Sequence, residues 1–228
     1  MRIKKGKLVV LEGTDGSGKG TQTKLLVERL KREKYKVAAL AFPQYGKKSA
    51  GLIEEYLNGA YGNTESISPY AASLFYALDR FDASFAIRAL LEKNDVVLLD
   101  RYIDSNAGHQ GGKIKNPIER KKFLAWLYEL EYKILGIPKP DLVIILHVPA
   151  EVGQKLIAQK ATRSYIKKGK RDRHEANLSH LKNAESSYLW LASQFPTDHT
   201  IIECTTEGQI EPPNTISEKV WRYVSKII

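Results

Sequence analysis

An α/β fold, a doubly wound and five-stranded parallel sheet flanked by helices, is predicted by three observations. Short apolar runs alternate with amphipathic stretches along the chain, as strands joined by crossover helices do. Two of the runs, Val96-Val97-Leu98-Leu99 and Leu142-Val143-Ile144-Ile145-Leu146, are apolar without alternation, as strands buried on both faces must be. The first run, Leu8-Val9-Val10-Leu11, passes through Glu12 straight into a glycine-rich turn and then helical spacing. Sheets of this kind take their ligands at the carboxyl ends of the strands.

The elements follow in order. Residues 7–12 read as a buried strand. Residues 21–34 read as a helix whose inner face carries Leu25, Leu26, Val27 and Leu30. A second strand over 36–42 is stopped by Pro43. Helical spacing runs from 68 to 92, with Ser68 as N-cap and Pro69 at the first helical position. Residues 95–100 form an interior strand, and 117–135 a helix ending at Gly136. A strand over 141–147, helices over 150–159 and 175–192, a short strand over 199–203 and a closing helix over 216–228 complete the order. Residues 205–215, with Gly208 and Pro212-Pro213, are read as a loop of unassigned role. No repeat or low-complexity tract interrupts this order.

The chain has 228 residues, enough for one substantial core, and a single domain spanning 1–228 is expected. No apolar run approaches the roughly 20 residues that cross a bilayer, and the start does not read as a signal peptide. One cysteine, Cys204, excludes an internal disulfide and fits a reducing compartment, so a cytoplasmic protein without membrane contact is expected. The formal net charge is +10. Its cations are dispersed apart from Lys167-Lys168-Gly169-Lys170-Arg171-Asp172-Arg173, with no interleaved aromatics, which argues against a nucleic-acid partner.

The turn after the first strand is Gly13-Thr14-Asp15-Gly16-Ser17-Gly18-Lys19-Gly20-Thr21, a phosphate-binding loop in the context the motif requires. Glycines let backbone N–H groups converge on phosphates, and the following helix N-terminus favours negative charge. Lys19 is the cation for the β- and γ-phosphates. Gly20 stands where such loops usually place a hydroxyl for Mg²⁺. The metal is therefore expected on phosphates, water and a carboxylate, with Asp15 and Asp100 as candidates.

Three further segments carry a resemblance: Phe42-Pro43-Gln44-Tyr45, then Leu74-Phe75-Tyr76-Ala77-Leu78-Asp79-Arg80, then Asp100-Arg101-Tyr102-Ile103-Asp104-Ser105-Asn106. With the Leu-Glu-Gly-Thr-Asp-Gly start of the loop, their order and spacing resemble the thymidylate kinase family over about residues 7–195, most clearly its bacterial members. The resemblance implies transfer of the ATP γ-phosphoryl group to dTMP, giving dTDP for dTTP biosynthesis, with Mg²⁺ and in a homodimer. It implies that Tyr76 stacks on thymine and Arg80 binds a base carbonyl. Arg101 then takes the acceptor phosphate, Phe42, Pro43 and Tyr45 wall the pocket, and Ser105 and Asn106 make polar contacts to the nucleotide. A short basic lid at about 161–174 supplies Arg171 or Arg173 to the transferring group. Two departures stand out. Gln44 replaces an arginine common in the family, with Lys47 or Lys48 as a possible substitute, and His109 stands where relatives carry a tyrosine beside the sugar 2′ position.

The chemistry needs no general base, because a phosphate monoester is already anionic at neutral pH. The five histidines show no metal-ligand spacing. Two polyanions must be held together, so the expected catalytic groups are Asp15 and the cations Lys19, Arg101, Arg171 and Arg173. The rival readings are a kinase of dUMP, UMP, CMP or AMP, and a P-loop NTPase or nucleic-acid-binding module.

Overall fold

The computed structural model describes residues 6–64, 66–158 and 178–228. Five parallel strands, β1 (Lys7–Glu12), β2 (Val37–Ala41), β3 (Val96–Asp100), β4 (Leu142–His147) and β5 (His199–Glu203), form a sheet in the order β2-β3-β1-β4-β5. The doubly wound parallel sheet expected from the sequence is therefore present. β1 is the centre: Lys7 to Leu11 pair with Val96 to Asp100, and Val9 to Glu12 with Leu142 to Ile145.

Because strand side chains alternate between faces, β1 splits its apolar residues between two cores. Leu8 and Val10 join Val97, Leu99, Val143 and Ile145 under α3 (Pro69–Lys93), α5 (Pro117–Tyr128) and α7 (Leu178–Gln194). Val9 and Leu11 join Val96, Leu98, Ile144 and Leu146 under α1 (Lys19–Arg32) and α8 (Pro213–Val224). A third cluster joins Ile53, Tyr56 and Leu57 of α2 (Gly51–Asn58) to Ala72 of α3. The remaining helices are α4 (Asp104–His109) and α6 (Ala150–Ala158).

The cap read at Ser68 is present, and Asn116 caps α5 in the same way. Ser68 Oγ accepts from Tyr70 N at 3.2 Å, and Asn116 Oδ1 accepts from Ile118 N and Glu119 N, each helix having proline in its first turn. Helices α2 and α4 were not anticipated, and four further segments differ from expectation. α1 starts at Lys19, two residues early, because Gly18 adopts φ 86 and its carbonyl takes the N–H groups of Thr21 and Gln22. The helix expected over 117–135 changes at Glu129–Ile134 into a π-helical turn, in which Leu135 N reaches back to Leu130 O. The closing helix begins at Pro213, where the missing N–H costs nothing. Residues 205–210 form a hairpin of β6 (Thr205–Thr206) and β7 (Gln209–Ile210), turned by Glu207 (φ 51) and Gly208 (φ 73). The expected lid at 161–174, with Arg171 and Arg173, lies outside the described residues.

Candidate active site

The centre of the sheet ends in the phosphate loop. Gly13 and Gly16 are required there for two reasons. Both have positive φ (136 and 83), and a Cβ would lie 2.5 Å from Leu146 O at Gly13 and 2.4 Å from Gly153 O at Gly16. The loop is thus pressed onto the ends of β4 and α6. Thr14, Asp15, Ser17 and Lys19 are all buried. Lys19 Nζ donates to Gly13 O (3.0 Å), Thr14 O (2.8 Å) and Ser17 Oγ (3.3 Å), so the ammonium is folded against its own loop. Burial, helped by the Arg101 charge, lowers its pKa to about 7, against the pull of Asp15, Asp100 and Glu12. A Cβ on Gly20 would meet Asp100 Oδ2 at 3.5 Å, which places the Asp100 carboxylate against the start of α1.

β3 delivers Arg101 beside this loop. Its backbone is left-handed (φ 69), uncommon for a side-chain-bearing residue, and its N–H is held by Leu11 O at 2.9 Å. Arg101 Nη2 forms a short ion pair with Asp15 Oδ1. Nη1 faces His109 Nε2 at 3.2 Å, with Ser105 Oγ and Gly13 O at 3.4 Å. Burial disfavours the guanidinium, but Asp15, Tyr188, Asp100 and Glu12 together outweigh it and the Arg101 pKa is raised.

The segment after Arg101 hangs from a carboxylate that the sequence reading passed over. Glu12, fully buried at the end of β1, accepts from Tyr102 N (2.7 Å), Ser105 N (3.0 Å), Ser105 Oγ (2.7 Å) and Tyr188 Oη (2.9 Å). Burial raises its pKa and Asp104 adds to the effect, while Arg101 and the hydrogen bonds oppose it. One carboxylate thus ties the central strand, the start of α4 and α7 together.

Beside Arg101 opens a cleft with about 670 Å³ of atom-free space, part of it open to solvent. Phe42, Pro43, Tyr45, Tyr76, Arg80, Arg101, Ser105, Asn106 and His109 all line it, and Asp15 reaches it from the phosphate loop. Tyr76 is half-buried and meets Tyr56 edge-on at 6.4 Å. One turn later Arg80 is buried, and Glu131 of the π-helical turn takes Nε and Nη2, each at 2.6 Å. Arg80 Nη1 donates to Tyr102 O at 3.2 Å. A guanidinium has five N–H groups, so two, on Nη1 and Nη2, remain beyond these three bonds. Asn106 Nδ2 donates to Ser73 O (3.2 Å) and weakly to Glu131 Oε1 (3.4 Å).

Asp79 also lines the cleft and fixes its entrance. Its carboxylate accepts from Gln44 N (2.8 Å), Gln44 Nε2 (3.2 Å) and Ser49 Oγ (2.6 Å). Gln44 Oε1 in turn accepts from Lys47 Nζ at 2.5 Å, so of the two lysines considered beside Gln44 it is Lys47 whose ammonium stands on the amide. Glu12, Asp79, Glu131 and His180 were missed by the sequence reading. Asp79 and Glu12 had a signal, since Asp79 sits inside the segment that carries Tyr76 and Arg80 and Glu12 inside the Leu-Glu-Gly-Thr-Asp-Gly start of the loop.

A glycine-rich loop between β1 and α1 that buries a lysine, joined through Arg101 to a cleft with aromatic and guanidinium walls, is the arrangement of a P-loop phosphotransferase. The thymidylate kinase family model matches residues 11–211. A thymidylate kinase of Mycobacterium tuberculosis (strain CDC 1551 / Oshkosh) is 35% identical over 188 residues, 82% of this chain and 86% of that protein. One from Thermomicrobium roseum is 29% identical over 221 residues, 96% and 95% of the two chains. The solved thymidylate kinase of Candida albicans superposes with a TM-score of 0.73 at 24% identity, covering 97% of this chain and 92% of that one, and shares its fold. The chain belongs to the thymidylate kinase family.

Proposed function

We propose that the protein transfers the γ-phosphoryl group of ATP to dTMP, with residues 13–21 holding the donor and the adjoining cleft the acceptor. The observation that carries this reading is Arg101: it is bonded to Asp15 of the phosphate loop and lines the acceptor cleft, so one planar cation stands between both anions. Tyr76 stacks on the pyrimidine, and the two remaining N–H groups of Arg80 meet a base carbonyl. Phe42, Pro43 and Tyr45 close the opposite wall. Ser105 and Asn106 hold the floor.

The reaction is in-line displacement by an acceptor phosphate that is already anionic, so catalysis consists of alignment and charge neutralisation. Lys19 leaves the carbonyls of Gly13 and Thr14 for the donor phosphates. Arg101 exchanges part of its bonding to Asp15 for the acceptor phosphate. The fit to Mg²⁺ rests on Asp100, placed against the start of α1 where Gly20 offers no hydroxyl. Among the described residues no group of three His, Cys, Asp or Glu side chains could hold a metal, so the donor set suits an ion bound mainly by phosphates and water. When bound, Mg²⁺ neutralises charge on the β- and γ-phosphates. Asp15 is the other candidate carboxylate, once Arg101 has turned to substrate.

The whole chain acts as one kinase domain, in which Arg171 or Arg173, outside the described residues, is the further cation for the transferring group. Leu74, Leu78, Phe81 and Phe85 are 37–64% exposed at helical spacing on α3, an apolar stripe that supports a homodimer. No described helix is long and apolar enough to cross a membrane, and with the buried thiol of Cys204 this supports a cytoplasmic location. Coupled ADP release with a panel of nucleoside monophosphates tests the function. Turnover with dTMP, lost in Lys19→Ala and shifted to high KM for dTMP in Arg80→Ala, is the expected result. Equal turnover of AMP or UMP, or phosphate release without any acceptor, would overturn it.

A further inference from the structure

Arg101 is held on one side by Asp15 and on the other by a histidine that is itself held by a second histidine. His109, the last residue of α4, presents Nε2 to Arg101 Nη1 at 3.2 Å and Nδ1 to His180 Nε2, also at 3.2 Å. The ring centroids are 5.4 Å apart and the planes 17° from parallel, so the two imidazoles meet edge to edge in nearly one plane. His180 is 3% exposed and belongs to α7, while His109 is half-buried and also meets the Tyr188 ring edge-on at 6.0 Å.

The chemistry of the three groups fixes the direction of the hydrogen bonds. A guanidinium has only N–H donors. The nitrogen it faces must therefore be bare, which puts the proton of a neutral His109 on Nδ1. That N–H can only be received by a bare His180 Nε2, so the second imidazole is also an Nδ1–H tautomer. Bonds run one way, from Arg101 through His109 to His180. With Asp15 on Nη2 and His109 on Nη1, the guanidinium plane has two supports, from the phosphate loop and from α4 backed by α7. It is therefore held in place before a phosphate arrives.

We infer that His109 and His180 are positioning residues for phosphoryl transfer, setting the guanidinium of Arg101 through a directed pair of imidazole hydrogen bonds. The inference rests on the assignment of Arg101 to the acceptor phosphate. A glutamine at 109 can accept from Arg101 through its amide oxygen and donate to His180 through its amide nitrogen, whereas leucine can do neither.

The test compares His109→Leu, His109→Gln, His180→Leu and the double leucine variant with the wild-type enzyme, together with long-range ¹H–¹⁵N NMR of the wild-type rings. His109→Leu should lower kcat about 10- to 100-fold, with KM for ATP within about threefold. His109→Gln should recover most of that loss. The double leucine variant should be no slower than His109→Leu alone. The nitrogen shifts should report Nδ1–H on both rings. A kcat within twofold of wild type in His109→Leu, a glutamine variant as slow as leucine, or an Nε2–H tautomer at His109 would each overturn the inference. Should His109→Leu not fold, the ring tautomers of the wild-type protein decide the matter. Absence of dTMP phosphorylation by the wild type would instead remove the role of Arg101 and leave the tautomer measurement standing.

Discussion

Replacing Glu131 by glutamine removes half of a buried pair without changing its shape. Arg80 is 1% exposed and Glu131 0%, and the carboxylate takes two guanidinium N–H groups at 2.6 Å each. Burial pushes the Glu131 pKa up, and the Arg80 charge with its hydrogen bonds pulls it down; the two-point contact argues that the ionised form is the one present. An amide supplies one acceptor and turns an N–H against an N–H. Breaking a buried ion pair on one side costs about 3–5 kcal/mol, a large part of the roughly 5–15 kcal/mol that holds a protein of this size folded. At about 2–4 °C per kcal/mol, Glu131→Gln should lower the melting temperature by roughly 6–20 °C in scanning calorimetry. Replacing both partners by apolar residues, Arg80→Met with Glu131→Leu, should return most of that loss, since no buried charge is left unpaired. The double variant should still show a raised KM for dTMP, because the donors to the base are gone. A melting temperature for Glu131→Gln within about 2 °C of wild type would refute the reasoning, since that is below the shift expected for 1 kcal/mol.

Other perturbations test other parts of the site. ATP binding at pH 8 should take up close to one proton, because a lysine with a pKa of about 7 is mostly neutral in the empty loop and is recharged by phosphates; calorimetry in buffers of different ionisation enthalpy measures this, and Lys19→Ala should abolish it. Arg101→Lys keeps the charge but loses the planar fork between Asp15 and the cleft, so kcat should fall by about 10²-fold in steady-state assays while the fold persists. Gly108→Ala would place a Cβ 2.4 Å from Cε2 and 2.5 Å from Cζ of Tyr188, whose hydroxyl is tied to Glu12, and should destabilise by about 1–3 kcal/mol in urea titrations. His147 is held by Glu203 Oε2 at 2.6 Å and Glu185 Oε1 at 2.8 Å; burial lowers its pKa, but the two carboxylates prevail and raise it. The stability this adds is fully present below the unfolded value of about 6.5 and is lost as pH rises through the raised value, so His147→Gln should flatten the fall in stability between pH 6 and 8.

Local chemistry made most of the frame legible. Strands announced themselves as apolar runs too short for helices, and α3 was marked at its start by Ser68 and Pro69. The phosphate loop declared itself by glycines between a strand and a helix. The residues that line the cleft were legible through the short segments at 42–45, 74–80 and 100–106. What stayed hidden depends on pairs far apart in sequence. Glu131 lies 51 residues from Arg80 and reads as a solvent-facing helix charge until the π-helical turn swings it inward. Glu12 reads as the end of a strand, since nothing local announces four donors converging on it. His109 and His180, 71 residues apart, look like scattered histidines because their meeting requires α4 to pack on α7. The hairpin at 205–210 was missed because its strands have only two residues each, and Glu207-Gly208 is the sole cue.

The empty site already neutralises itself. Lys19 rests on loop carbonyls and Arg101 on Asp15, so each cation has an understudy within the chain. A stray anion must therefore displace a resident partner that is already desolvated and in place, and one weak ligand gains little by doing so. Two nucleotides arriving together can dislodge both at once. The ground state thus offers inorganic phosphate only cations that are already engaged within the chain.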